Sequence, residues 1–98
     1  MKEIKQTETF EKWFSGLKDF KTVKVISREI DKLALGITSH IKSLGGGLFE
    51  LKIHLGKGIR IYFVNENARI VVLLSGGDKS TQGKDIETAR KLKEKIGG

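Results

Sequence analysis

Residues 48–64 read LFELKIHLGKGIRIYFV. Apolar side chains alternate along the segment: Phe49, Leu51, Ile53 and Leu55, then Ile59, Ile61 and Phe63. Period-two alternation on both sides of a glycine-bearing GKG turn predicts an antiparallel hairpin with one face against a core. The opposite face collects Lys52, His54, Arg60 and Tyr62. Cations, an imidazole and a phenol on one strand face raise the question of what they hold.

Working outward, the same alternation extends to a third strand. Residues 48–55, 59–65 and 69–75 read as three consecutive antiparallel strands, with NENA as the second turn. The last of them, RIVVLLS, is apolar on both faces and belongs at the sheet centre. Residues 3–7, EIKQT, form a short first strand on an edge. Phe10, Trp13, Phe14 and Leu17 recur at helical spacing, and Thr9 is placed to cap the start of that helix. A second helix runs from Lys21 to Leu35, with Val23, Ile26, Ile30 and Leu33 inward and Gly36 as the stop. ITSHIKSLGGG is a polar loop leading into a short strand. In the last segment Ser80 or Thr81 can cap a final helix, whose apolar stripe is Ile86, Ala89, Leu92 or Lys93, and Ile96. The expected fold is α+β, a single domain over residues 1–98, in the order β-α-α-β-β-β-β-α. Helices pack on one side of a mainly antiparallel sheet, and the cationic face stays partly open.

A chain of 98 residues with 38% hydrophobic content suits one compact domain. There is no cysteine, which excludes a disulfide framework and a thiolate zinc site. No apolar run is long enough to span a bilayer, and MKEIKQTETF lacks the apolar centre of a signal peptide. The expectation is a soluble cytoplasmic protein with no membrane partner. The net charge of +7 points to a polyanion or an acidic protein as partner. A lysine-rich surface kept for solubility is the plainer alternative.

Strand geometry brings Lys52 and His54 within side-chain reach of Arg60 and Tyr62. Arg60 offers a planar fork for phosphate, and Tyr62 a ring on which a base can stack. Lys52, beside another cation, is a candidate base. The imidazole of His54 can donate or accept a proton. Lys57, in the turn, adds a further cation for RNA. Metal-free RNA cleavage makes these demands: a 2′-hydroxyl to deprotonate, a phosphate to neutralise, and a leaving 5′ oxygen to protonate. No residue spacing suggests a metal site, and no cofactor is implied. The alternative is a solvated cationic face with an incidental histidine and a tyrosine at the core's edge. GGDKSTQ, residues 76–82, is a glycine-rich loop before a helix, where backbone N–H groups can receive an anion. Lys79 is its charge. Walker A spacing is absent, and a strand-to-helix turn capped by Asp78 or Ser80 explains the loop equally well.

LFELKIHLGKGIRIYFV followed by VVLLSGGDKSTQGKDIETA resembles the phage Gp49-like/HigB family of addiction-module killer proteins, within the RelE/ParE superfamily of type II toxins. The resemblance runs from the W-F-x-x-L-K-D segment at Trp13 to the last helix. It implies a RelE-like, microbial-ribonuclease-type fold and translation-dependent cleavage of mRNA in the ribosomal A site. It also implies a cognate antitoxin from the same operon, with a HigA-like helix-turn-helix. By position Lys52 and Arg60 match the family's strand cations and Lys79 its loop cation, while His54 stands where another strand cation usually sits. The family more often has arginine at the place of Lys52, and a proline and an aromatic residue in the turn. RelE's late tyrosine is missing near Ile86, and so is the C-terminal histidine of some HigB proteins. The general acid is therefore open among His54, Tyr62 and Lys79.

The expected protein is a toxin acting as a metal-independent, ribosome-dependent mRNA endonuclease. Lys52, His54, Arg60 and Lys79 are its catalytic candidates, and Lys57, Tyr62 and Gln82 contact RNA. The rivals are a ParE-like toxin that binds DNA gyrase and a basic RNA-binding module without catalysis.

Overall fold

The computed structural model describes every residue except Ser39 and Gly98. The chain runs β1 (Glu3–Gln6), α1 (Glu8–Ser15), α2 (Phe20–Leu35), β2 (Ile41–Gly45), β3 (Leu48–Ile53), β4 (Ile59–Asn67), β5 (Ile70–Gly77) and α3 (Gln82–Gly97). A single 3₁₀ turn, Lys79–Thr81, precedes α3. The sheet order is β1-β5-β4-β3-β2. β1 pairs with β5 in parallel and the remaining pairs are antiparallel. The mixed α+β order is the expected one, with β1 on an edge and β5 in the interior.

The helices begin where side chains can satisfy their free N–H groups. Thr7, not Thr9, caps α1: its oxygen accepts from the Phe10 N–H, while its hydroxyl donates to the Leu74 carbonyl at 2.6 Å. One residue thus starts the helix and ties it to β5. Asp19 accepts from the Lys21 N–H and caps α2. At the other end Gly36 takes φ 73°, and its N–H and that of Ile37 close the last turn on Leu33 and Lys32.

Alternation along β4 and β5 divides the core into two layers. Ile61, Phe63, Val71 and Leu73 face α1 and α2 and pack with Phe10, Ile26, Leu33, Leu51 and Ile53. Full burial of such side chains stabilises by roughly 1.5–3 kcal/mol each. Tyr62, Val64, Val72 and Leu74 face the other way and pack with Leu48 and with Ala89 of α3. The third helix therefore lies across the second face of the sheet, opposite α1 and α2. β5 carries one extra residue where Tyr62 pairs with Ser75 but Phe63 with Leu73. The end of β5 is squeezed from both sides: a Cβ on Gly76 would collide with the Trp13 ring, and one on Gly77 with Asp85 and Thr81. Among the described residues no helix is long and apolar enough to cross a membrane.

Candidate active site

α3 covers only part of the second face, and a cavity of about 430 Å³ remains at the β2–β3 side. Pairing across β3 and β4 sets Lys52 opposite Arg60 and Glu50 opposite Tyr62. Pairing across β2 and β3 sets Lys42 opposite Glu50. Lys42, Glu50, Lys52 and Arg60 all line the cavity, joined by His40, Ile41, His54 and Gln82. The His40 and His54 rings meet edge to face with centroids 4.9 Å apart. His40 is held there by backbone: it takes φ 65°, and its carbonyl accepts from the Lys52 N–H.

Arg60 and Glu50 form the floor. They are 7% and 5% exposed, which a charged group tolerates only with a partner. The Arg60 Nε and Glu50 Oε2 atoms stand 3.9 Å apart, an ion pair without a hydrogen bond. Arg60 Nη1 donates to the Gly58 carbonyl at 2.9 Å, and among the described residues nothing accepts from the buried Nε. Gln82, at the start of α3, donates from Nε2 to Glu50 Oε2 at 3.0 Å. Strand, strand and helix thus converge on one carboxylate.

Four of the residues marked in the sequence come together here: Lys52, His54, Arg60 and Gln82. Lys57 and Lys79 are exposed and lie outside the cavity lining. They flank a second point, because the charge of Lys57 acts on Asp78, just before Lys79. Asp78 accepts from the Ser80 hydroxyl and N–H, and these bonds hold its carboxyl below the usual range.

Tyr62 requires a correction. It is fully buried beneath α3, so its ring offers no face to a base. Burial pushes its hydroxyl far above the ordinary value, and the negative charges of Glu50 and Asp85 push it further. Among the described residues the hydroxyl makes no hydrogen bond of normal geometry, and the Glu50 carboxylate is the acceptor it leans on. Arg60 also differs from expectation: it is a buried, paired cation rather than a free one on an open surface.

Three polar cavity residues escaped the reading of the sequence: His40, Lys42 and Glu50. Glu50 had a usable signal, since residues 50, 52 and 54 share a strand face. His40 and Lys42 stand in a polar stretch whose periodicity gives no direction.

The layered arrangement of two helices, a β1-β5-β4-β3-β2 sheet and a third helix defines a RelE-like fold. The structure of a mutant of the E. coli toxin RelE in the free state matches with a TM-score of 0.68, at 15% identity, over 91% of this chain and 94% of that one. At that identity the likeness speaks for the fold alone. Residues 12–95 match the family described as phage derived protein Gp49-like (DUF891), and the chain belongs to that family. A Haemophilus influenzae (strain Rd) relative, named only as an uncharacterized protein, is 45% identical over 95 residues, 97% of this chain and 96% of its own.

Proposed function

We propose that the chain is the toxin of a type II toxin–antitoxin pair and acts as a ribosome-dependent mRNA endonuclease. The observation that carries this reading is the convergence of Lys52, Arg60 and His54 on one solvent-reaching cavity. One carboxylate, Glu50, faces Lys52 and Arg60 together, which leaves a surplus of positive charge at the cavity, and a scissile phosphate is an anion that would meet it. Arg60 is fixed from below, so its fork is held ready rather than ordered at the moment of binding. Lys52 supplies a second positive charge as the phosphorane gains negative charge. His54 is exposed at the cavity mouth, where an imidazole can give a proton to the leaving 5′ oxygen. Lys57 and Lys79 extend the positive surface beyond the cavity and bind flanking phosphates. Gln82 orders the start of α3 and touches RNA.

The net charge of +7 suits both the ribosome's RNA and an acidic antitoxin. The cognate antitoxin is expected to be the product of an adjacent gene, with a HigA-like helix-turn-helix. The test is primer extension on cellular mRNAs after induction of the protein. Cuts in frame with translated codons, absent when the adjacent gene is co-expressed, are the expected result. Growth arrest with intact mRNA would overturn the nuclease reading and turn attention to DNA gyrase.

A further inference from the structure

His40 presents its ring at the cavity from a backbone conformation that favours glycine. Its φ is 65°, and among the described residues no other residue with a side chain has a positive φ. Its backbone role does not call for a histidine: the carbonyl accepts from the Lys52 N–H at 3.1 Å, and a glycine would supply that carbonyl without strain. Strain of this kind clusters at functional sites. We propose that the His40 ring, backed by His54, is the stacking wall of a nucleobase pocket that takes the base on the 3′ side of the scissile phosphate. This rests on the nuclease reading above and adds a place for the substrate's base.

The wall stands between two cavities. His40, Lys52 and His54 line both the cavity of about 430 Å³ over Arg60 and a second one of about 270 Å³ toward α2. The two differ in charge. Beyond the shared wall, the second is lined by the apolar Val25 and Ile53 and by Glu29 and Lys32, whose ion pair at 3.1 Å cancels its own charge. It lacks the surplus of cations that suits a phosphate, and a flat uncharged group fits it better. Stacking needs an aromatic face. Among the described residues His40 and His54 supply the only aromatic rings lining either cavity, since Tyr62 is buried under α3. Both histidines are exposed, and their edge-to-face contact at 4.9 Å holds one ring against the other. Little side-chain freedom is then lost when a base arrives.

The side of the cut follows from His54. In the cleavage proposed above His54 faces the leaving 5′ oxygen, and that oxygen belongs to the nucleotide 3′ of the scissile phosphate. A ring in contact with His54 therefore meets the base of that nucleotide. Bases of single-stranded RNA are splayed out and stacked on aromatic side chains, histidine included. No bond forms or breaks at His40; it binds the substrate and orients it.

Single-turnover cleavage on programmed ribosomes, followed against protein concentration, tests this. His40→Ala should raise the half-saturating concentration about 5- to 150-fold, the worth of one base stacked on one aromatic ring. His40→Phe should recover most of that loss, because it restores a flat ring on the same backbone. His40→Gly relieves the backbone and should stay as weak as His40→Ala. An mRNA abasic at the 3′ nucleotide gives a measurement independent of any variant's folding. It should weaken the wild-type protein by a similar factor and His40→Ala no further. A wild-type protein that cuts abasic and natural mRNA at the same half-saturating concentration overturns the proposal and leaves the nuclease reading intact. A His40→Gly protein as effective as wild type does the same, because the ring would then be idle. A His40→Phe protein that melts like wild type but cuts as weakly as His40→Ala also overturns it, and assigns the role to the imidazole nitrogens. A wild-type protein that never cuts overturns both readings.

Discussion

Tyr62 is the chain's only tyrosine, which makes it both a structural probe and a spectroscopic one. It is fully buried under α3, and among the described residues its hydroxyl makes no hydrogen bond of normal geometry, with the Glu50 carboxylate as a weak acceptor beside it. A buried hydroxyl this poorly paired costs up to about 1–3 kcal/mol of desolvation. Tyr62→Phe removes the oxygen and keeps the ring, so it should stabilise the protein at neutral pH. Taking the low end, about 1 kcal/mol raises the Tm of a domain this size by about 4–8 °C. Alkaline pH supplies a second readout. Burial holds the Tyr62 proton in the folded state, whereas the unfolded phenol loses it near pH 10 or so. Above that pH the unfolded state binds fewer protons, so stability falls as pH rises. The Tyr62 share of that fall is at most about 1.4 kcal/mol per pH unit. Thermal melts followed by circular dichroism, in a pH series above 9 or so, should show this component in wild type and not in Tyr62→Phe. Tyrosinate absorbance should appear only with unfolding. A Phe variant that melts lower at neutral pH, or tyrosinate forming near pH 10 or so in the folded protein, would refute the reasoning.

Arg60→Ala strands Glu50 without its cation and should destabilise by about 3–5 kcal/mol; adding Glu50→Gln should restore much of the Tm, and a single variant that melts like wild type would contradict the pairing. Ile26→Ala opens a hole in the layer between α2 and the sheet and should cost about 2–5 kcal/mol by chemical denaturation. Hydrogen bonds from Thr22 and the backbone hold the Asp19 carboxyl below its ordinary value, so its contribution is present above the ordinary aspartate range and is lost as pH falls through the lowered value. Asp19→Asn should therefore flatten the acid side of the stability curve, and an unchanged acid limb would count against that cap. Sulfur in place of a non-bridging oxygen at the scissile phosphate should slow cleavage without rescue by a thiophilic metal, because charge stabilisation is assigned to Arg60 and Lys52; rescue would indicate direct metal coordination.

Much of the fold is legible in the sequence because apolar spacing is strong where burial is strong. The run from Leu48 to Phe63 and the stripe through Ile26 and Leu33 lead directly to the first core layer. The start of α1 is harder. Thr9 and Thr7 are equivalent as local caps, and the choice falls on Thr7 because its hydroxyl also reaches Leu74, a contact with β5 that spacing cannot reveal. The cavity was half legible for a similar reason. Alternation correctly groups Lys52, Arg60 and Tyr62 on one face, but which part of that face is covered depends on where α3 settles. Its stripe of Ile86, Ala89 and Leu92 is thin, and its seat over Tyr62 is a tertiary outcome. Glu50 went unmarked because attention to positive charge passes over the carboxylate that holds it.

The squeezed end of β5 has a genetic consequence. Gly76 has a tryptophan ring against it and Gly77 the first turn of α3: a methyl group at Gly76 would collide with the ring, and one at Gly77 would have to push the Asp85 and Thr81 side chains aside. Any single-base change that turns a glycine codon into another amino acid adds at least that methyl. If the protein arrests growth as proposed, cells that survive its expression are those whose copy has been damaged. Surviving clones should therefore accumulate changes at codons 76 and 77 as readily as at the codons of the cavity. Yet neither residue carries a side chain that could hold a phosphate or move a proton. A map of escape mutations would mark the place where the sheet and its helices lie closest together, and it would take that tight spacing for chemistry.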